Sequence, residues 1–127
     1  METRVGQGSF CPIFHQAVEL IGRRWTGAII RAMQSGCTRF SDIGHAIPGL
    51  SDRLLSERLK ELEAEGIVTR SVYPETPVRI EYQLTEKGRD LDAVLDAISG
   101  WSQRWLEPTH ADPSEEPRVA GELAGVR

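Results

Sequence analysis

"GLSDRLLSERLKELEAEGIVTRSVYPETPVRIEYQLTEKG", residues 49–88, decides how this chain folds. Leu54, Leu55, Leu59 and Leu62 fall within one arc when each residue advances about 100° around a helix. Ser51 stands where a cap is needed, so the pattern predicts a helix over 51–65, ended by Gly66. After it, "IVTRSVY" and "VRIEYQL" flank the four-residue tip "PETP". Val78, Ile80, Tyr82 and Leu84 alternate there with Arg79, Glu81 and Gln83, which is the period of a hairpin with one buried face.

Toward the N-terminus, "TRFSDIGHAIPG" places Phe40, Ile43 and Ile47 at helical spacing, so a short helix is expected over 39–47, closed by Pro48-Gly49. "RRWTGAIIRAMQSG" predicts a helix ending near Gly36, with Trp25, Ile29, Ile30 and Met33 on its apolar face. A first helix is expected over 12–21, because Cys11 occupies the cap place, Pro12 suits the first helical position and Gly22 stops the run. Beyond the hairpin, Thr85 caps a last helix, with Leu91, Val94, Ile98, Trp101 and Trp105 spaced by alternating threes and fours, a heptad seam. The expected fold class is mainly α with a small β-hairpin wing. Short helix, tight turn, second helix and hairpin describe a winged helix-turn-helix carrying extra N- and C-terminal helices.

At 127 residues, with 39% hydrophobic and 27% charged residues, the chain is expected to be one globular domain over 11–106. A flexible arm is expected over 1–10. The tail, 107–127, is expected to be disordered, being rich in Pro, Glu, Gly and Ala without apolar periodicity. No run approaches the roughly 20 apolar residues of a membrane span, and the N-terminus lacks the apolar stretch of a signal peptide, so a soluble cytoplasmic protein is expected. The net charge of −4 is mostly local: the tail holds five acids against Arg118 and Arg127, which leaves about −1 elsewhere, so nucleic acid is not excluded as a partner.

On the predicted 51–65 helix, Arg53, Ser56, Glu57 and Lys60 project opposite the leucines. Such a helix fits a major groove, where Arg53 can donate two parallel hydrogen bonds to a guanine edge, Glu57 can accept from a cytosine amine, and Lys60 can hold a phosphate. Ser51 and Ser56, the residues Thr38 and Arg39 at the start of the preceding helix, and Arg70 and Arg79 in the hairpin complete the candidate DNA contacts. Arg58 projects near the leucines and is expected instead to pair with Asp42 or Glu61. The competing expectation is a winged helix that binds protein without touching DNA, motivated by Glu57, Glu61, Glu63 and Glu65 on the same helix. Glycine-rich phosphate loops, nucleophile elbows, zinc-protease helices and paired catalytic carboxylates are absent from the sequence, so no enzyme and no cofactor are expected. Cys11 and His15 stand one turn apart, but Cys37, His45 and His110 have no spacing that completes a tetrahedron, so no metal is expected either.

These residues also resemble a known family. "CP" at 11–12, "IGRRWT" at 21–26, "TRFSDI" at 38–43, "LSDRLLSERLKELEAEGIVTR" at 50–70, "PVRIEYQLTEKG" at 77–88 and the tryptophan at 101 are together similar to HxlR-type bacterial transcriptional regulators. Departures are Arg23 and Arg24, where the family tends to carry glycine and lysine, and the added tail. The resemblance implies a winged-helix homodimer on an inverted-repeat DNA operator, with the 51–65 helix reading bases and the first and last helices forming the dimer. Ile13, Ala17, Leu91, Val94, Ile98, Trp101 and Trp105 are the expected interface residues, since so large an apolar stripe requires a cover. In some members the cysteine before the first proline senses oxidants, quinones or aldehydes, which implies an oxidant or other small-molecule inducer. Cys11 stands at that place. Backbone N–H groups at a helix start favour negative charge, and thiolate is the reactive form of cysteine.

Overall fold

The computed structural model describes residues 10–107. The expected N-terminal arm and acidic tail lie, apart from Phe10 and Glu107, outside the described residues. Six helices and one hairpin follow in order: α1 (Pro12–Ile21), α2 (Thr26–Gln34), α3 (Phe40–Ala46), α4 (Asp52–Ala64), β1 (Val68–Tyr73), β2 (Arg79–Leu84), α5 (Glu86–Arg89) and α6 (Leu91–Trp105).

Local chemistry sets each boundary. The Cys11 Sγ accepts the Phe14 N–H at 3.4 Å, so the thiol caps α1 ahead of Pro12. Ser51 caps α4 by accepting the Leu54 N–H at 3.1 Å. Between α4 and β1 the chain reverses at Gly66, whose φ of 76° lies in the left-handed region open to glycine.

Two boundaries depart from expectation. Trp25 is not part of the α2 helix but precedes it, with φ of 76°, a conformation rare for a bulky residue. Its indole is half-buried against the core, so tertiary packing sets this backbone rather than helical propensity. The single helix expected after Thr85 is two. The ladder breaks at Asp90, whose N–H is shared between the Glu86 and Gly88 carbonyls. Position 88 in α5 is buried and admits only glycine, because a Cβ there would stand 2.3 Å from the Ile67 carbonyl oxygen.

The core joins Ile29, Ile30 and Met33 of α2, Ile43 of α3, Leu55, Leu59 and Leu62 of α4, Ile67 and Val68 entering β1, and Leu95 of α6. Burying each such side chain contributes roughly 1.5–3 kcal/mol, and together they clamp α3 and α4 against α2. The strands pair antiparallel, Val68 opposite Leu84, Arg70 opposite Tyr82 and Val72 opposite Ile80. Only the base of the expected buried face is covered: Val68 is buried, while Val72 and Val78 toward the tip are exposed. At the base, the Tyr82 N–H donates to the Thr38 carbonyl at 2.8 Å, fixing the wing to the entry of α3. The molecule is a winged helix-turn-helix with an added helix at each end.

Candidate nucleic-acid interface

The outward side of α4 carries Ser51, Arg53, Glu57 and Lys60, all exposed, with Ser56 half-buried among them. The Arg53 side chain is 88% exposed and bonds Glu57 through Nε at 3.3 Å. An exposed pair one turn apart contributes only about 0.3–0.5 kcal/mol, so Arg53 is easily exchanged onto another acceptor. Lys60 has no ion-pair partner among the described residues.

Arg58 behaves differently. Its side chain is 14% exposed, its Nε donates to the Arg24 carbonyl at 2.9 Å, and its Nη1 reaches Glu61 at 3.3 Å. Of the two partners expected from sequence, Glu61 is the one it meets. Arg23 joins the same carboxylate at 3.4 Å. Two of the three glutamates within α4 are therefore neutralised locally, Glu57 by Arg53 and Glu61 by Arg58 and Arg23.

Arg39 is exposed at the start of α3, beside half-buried Thr38. In the wing, Arg70 is exposed, whereas Arg79 is enclosed by its own hairpin. Its guanidinium donates to Glu75 at 2.8 and 3.3 Å and to Glu81, and lies 4.0 Å over the Tyr73 ring. The Arg79 hydrogen bond, helped by the charges of Arg79 and Arg39 and opposed by slight burial, holds Glu75 below the usual carboxylate range. Nothing in the local sequence signalled this cluster, because it depends on the strand register that puts Tyr73 opposite Arg79.

Both α1 and α6 leave large apolar side chains exposed. No residue of α1 is buried, and Ile13, Phe14 and Val18 are exposed, with Phe10 beside them and Ala17 between. On α6, Val94, Ile98, Trp101 and Trp105 are likewise exposed, Trp101 at 58%. Leu91 is half-buried against its own core, on the side it shares with Leu95. Phe14 and Val18, one turn apart, widen the exposed apolar set beyond the expected Ile13 and Ala17.

Cys11 and Cys37 are both free thiols, Cys11 at the head of α1 and Cys37 packed partly against the core. Among the described residues, no group of three or more His, Cys, Asp or Glu side chains is placed to hold a metal ion, and no helix is long and apolar enough to cross a membrane.

Comparison with known proteins agrees with this architecture. The model of the HxlR-like helix-turn-helix family matches residues 20–110. The HTH-type transcriptional regulator YvaP of Bacillus subtilis is 50% identical over 108 residues, 85% of this chain and 100% of that one. YodB, a second such regulator from the same organism, is 44% identical over 108 residues, 85% of this chain and 96% of that one. Its reduced form superposes with a TM-score of 0.70 at 46% identity, covering 79% of this chain and 98% of that one. The oxidised form of the redox regulator HypR gives 0.70 at 35% identity, covering 77% of this chain and 100% of that one. With the matched residues spanning α2 to α6 and relatives of this similarity, the chain belongs to the HxlR-like helix-turn-helix family of transcriptional regulators.

Proposed function

We propose that the protein is a sequence-specific regulator that binds double-stranded DNA as a homodimer. Two copies pair through α1 and α6, covering Ile13, Ala17, Val94, Ile98, Trp101 and Trp105, with Leu91 at the edge. The paired molecule presents its two α4 helices to successive major-groove faces of an inverted repeat, with half-sites one or two turns apart, about 35 Å per turn. Arg53 reads a guanine edge, Glu57 a cytosine amine, and Ser51, Ser56, Lys60, Thr38 and Arg39 hold backbone. In the wing, exposed Arg70 makes the phosphate contact, and Arg79 reaches DNA only to the extent that phosphate displaces Glu75 and Glu81.

The observation that carries this reading is the contrast on one helix. Arg53 projects almost fully into solvent beside Lys60, which has no ion-pair partner among the described residues, while Arg58 is drawn back into the subunit. A solvated face with no task does not require one arginine tethered and its neighbour left projecting.

The test titrates operator and scrambled duplexes at two salt concentrations. Phosphate contacts make affinity fall steeply with salt. Arg53→Ala removes about 1–3 kcal/mol of discrimination between the duplexes, whereas Lys60→Ala weakens both alike and flattens the salt slope by about one. Binding that neither substitution alters, or that is indifferent to salt, overturns the reading in favour of a protein partner.

The input proposed for this regulator is chemical modification of Cys11 or occupancy by a small ligand. YodB is known in diamide-treated and quinone-bound forms, and HypR in reduced and oxidised forms. Cys11 supports the same reading here, its sulfur lying at the open end of α1 against a backbone N–H. Release of DNA by diamide in wild type and its loss in Cys11→Ser is the expected pair of results. Equal release from both proteins removes Cys11 from the mechanism.

A further inference from the structure

A cavity of about 430 Å³ opens where α2, the strand β2, α5 and the start of α6 meet. Its size falls within the usual range for small-molecule sites. Met33, which belongs to the core, and Tyr82 and Leu84, which pack against it, supply the apolar part of its lining. Arg89 and Asp92, both exposed, also line it, one a cation and one an anion. Gln34 lines it as well. Its Oε1 accepts from Arg31 at 3.2 Å, and its Nε2 is enclosed with no acceptor among the described residues.

These groups define a ligand. The apolar part of the lining, with a thioether and a phenol ring, suits an aromatic ring. The opposite charges of Arg89 and Asp92 leave the cavity no net sign, so neither an anion nor a cation is selected. They offer one set of donors and one acceptor, which fits a neutral molecule with a carbonyl oxygen at one edge and a hydroxyl at another. Arg89 already donates to the Leu84 carbonyl at 2.8 Å through one Nη and keeps further N–H groups. Asp92 has only a 3.8 Å approach to Arg31, which bonds Asp96 more closely at 2.9 Å. The unsatisfied Nε2–H of Gln34 is a further donor available to a ligand oxygen.

We infer that this cavity is a binding site for a small neutral aromatic bearing hydroxyl and carbonyl oxygens, held by Arg89 and Asp92. The site stands on the cavity alone. Its consequence rests on the DNA-binding reading above: the lining residue Tyr82 donates its N–H to Thr38 at the entry to α3, while Asp92 lies on α6, so an occupant touches the reading head and the pairing helix together.

The probe is 4-hydroxyacetophenone, which carries both oxygens and does not alkylate thiols. Titrated into the full-length protein and followed by amide NMR, it shifts Thr38, Gln83, Leu84 and Asp92 saturably. Arg89→Ala and Asp92→Ala each weaken binding about tenfold, the loss of one hydrogen bond to a charged group. Arg89→Lys recovers part of it. Asp92→Ala keeps the test decisive if Arg89→Ala fails to fold, because Arg31 retains Asp96. Absence of saturable shifts, shifts confined to the apolar faces of α1 and α6, or wild-type affinity in Asp92→Ala each overturn the site. A parallel DNA titration with probe present separates the two readings. Protein that binds the probe but never binds DNA defeats the regulator reading and leaves the cavity assignment standing, and an operator affinity unmoved by bound probe defeats the coupling alone.

Discussion

Replacing Trp101 by alanine tests the pairing of two copies through the outer face of α6. The indole is 58% exposed in the single chain, which on a side chain of about 250 Å² leaves about 145 Å² for a partner to cover. At about 25 cal/mol per Å² that surface contributes about 3.5 kcal/mol, and a two-fold interface uses it twice. Incomplete dehydration and the entropy of ordering reduce the yield, so a loss of about 3 kcal/mol per dimer is expected, a roughly 100-fold rise in the dimer dissociation constant. Sedimentation velocity over a concentration series measures it directly. Val72→Ala serves as the control, because Val72 is also half-exposed but lies on the wing. Since α1 buries no residue of its own, the dissociated variant should also lose helical circular dichroism as α1 frays. Equal dissociation constants for wild type and Trp101→Ala, or equal losses in Trp101→Ala and Val72→Ala, refute the assignment of this face.

Two further outcomes are expected. Arg58→Ala removes the bond to the Arg24 carbonyl and leaves Glu61 with Arg23 alone, so it lowers stability by about 1–3 kcal/mol in urea unfolding, and an unchanged midpoint shows that the tether contributes nothing. Glu75 is held below the usual carboxylate range by Arg79, so its bond supports the wing at neutral pH and is lost as pH falls beneath that range. Protection factors of the tip amides, taken relative to the intrinsic exchange rate at each pH, should therefore fall on acidification in wild type, while Glu75→Gln shows low protection at every pH; a tip equally protected in both has some other support.

What the sequence made legible was local. The leucine arc, the Ser51 cap and Gly66 bound α4 to within a residue, because burial and capping act inside one helix. The angle of Arg58 relative to that arc separated it from Arg53, and the structure places the two accordingly. What depended on distant chain was not legible. Residues spaced by three and four lie on one side of α6 whether that side meets the core or water, so Leu91 could not be sorted from Val94 by period alone, and Leu95 was passed over. Nor could Trp25 be placed ahead of its helix, since its left-handed backbone is imposed by packing. Arg79 read as a free cation because Glu75 and Tyr73 meet it only through the hairpin register.

The tethering of Arg58 bears on how a change at α1 can reach α4. A modification at Cys11 alters DNA affinity only as far as it favours one arrangement of the helices over another. The corner joining α1 to α2 is where such a preference can pass, because the Arg24 carbonyl and the Arg23 guanidinium both engage the side of α4 that carries Arg58 and Glu61. Those contacts are polar and partly exposed, so shifting them by an ångström or two costs little, whereas moving Leu55, Leu59 or Leu62 means reopening a close-packed core. On the proposed Cys11 input, an effect travelling from α1 is therefore expected to tilt α4 as a unit about its leucine side without unfolding it. The observable distinction is that a modified protein keeps its unfolding midpoint while losing operator affinity. A joint loss of both places the effect in the core instead.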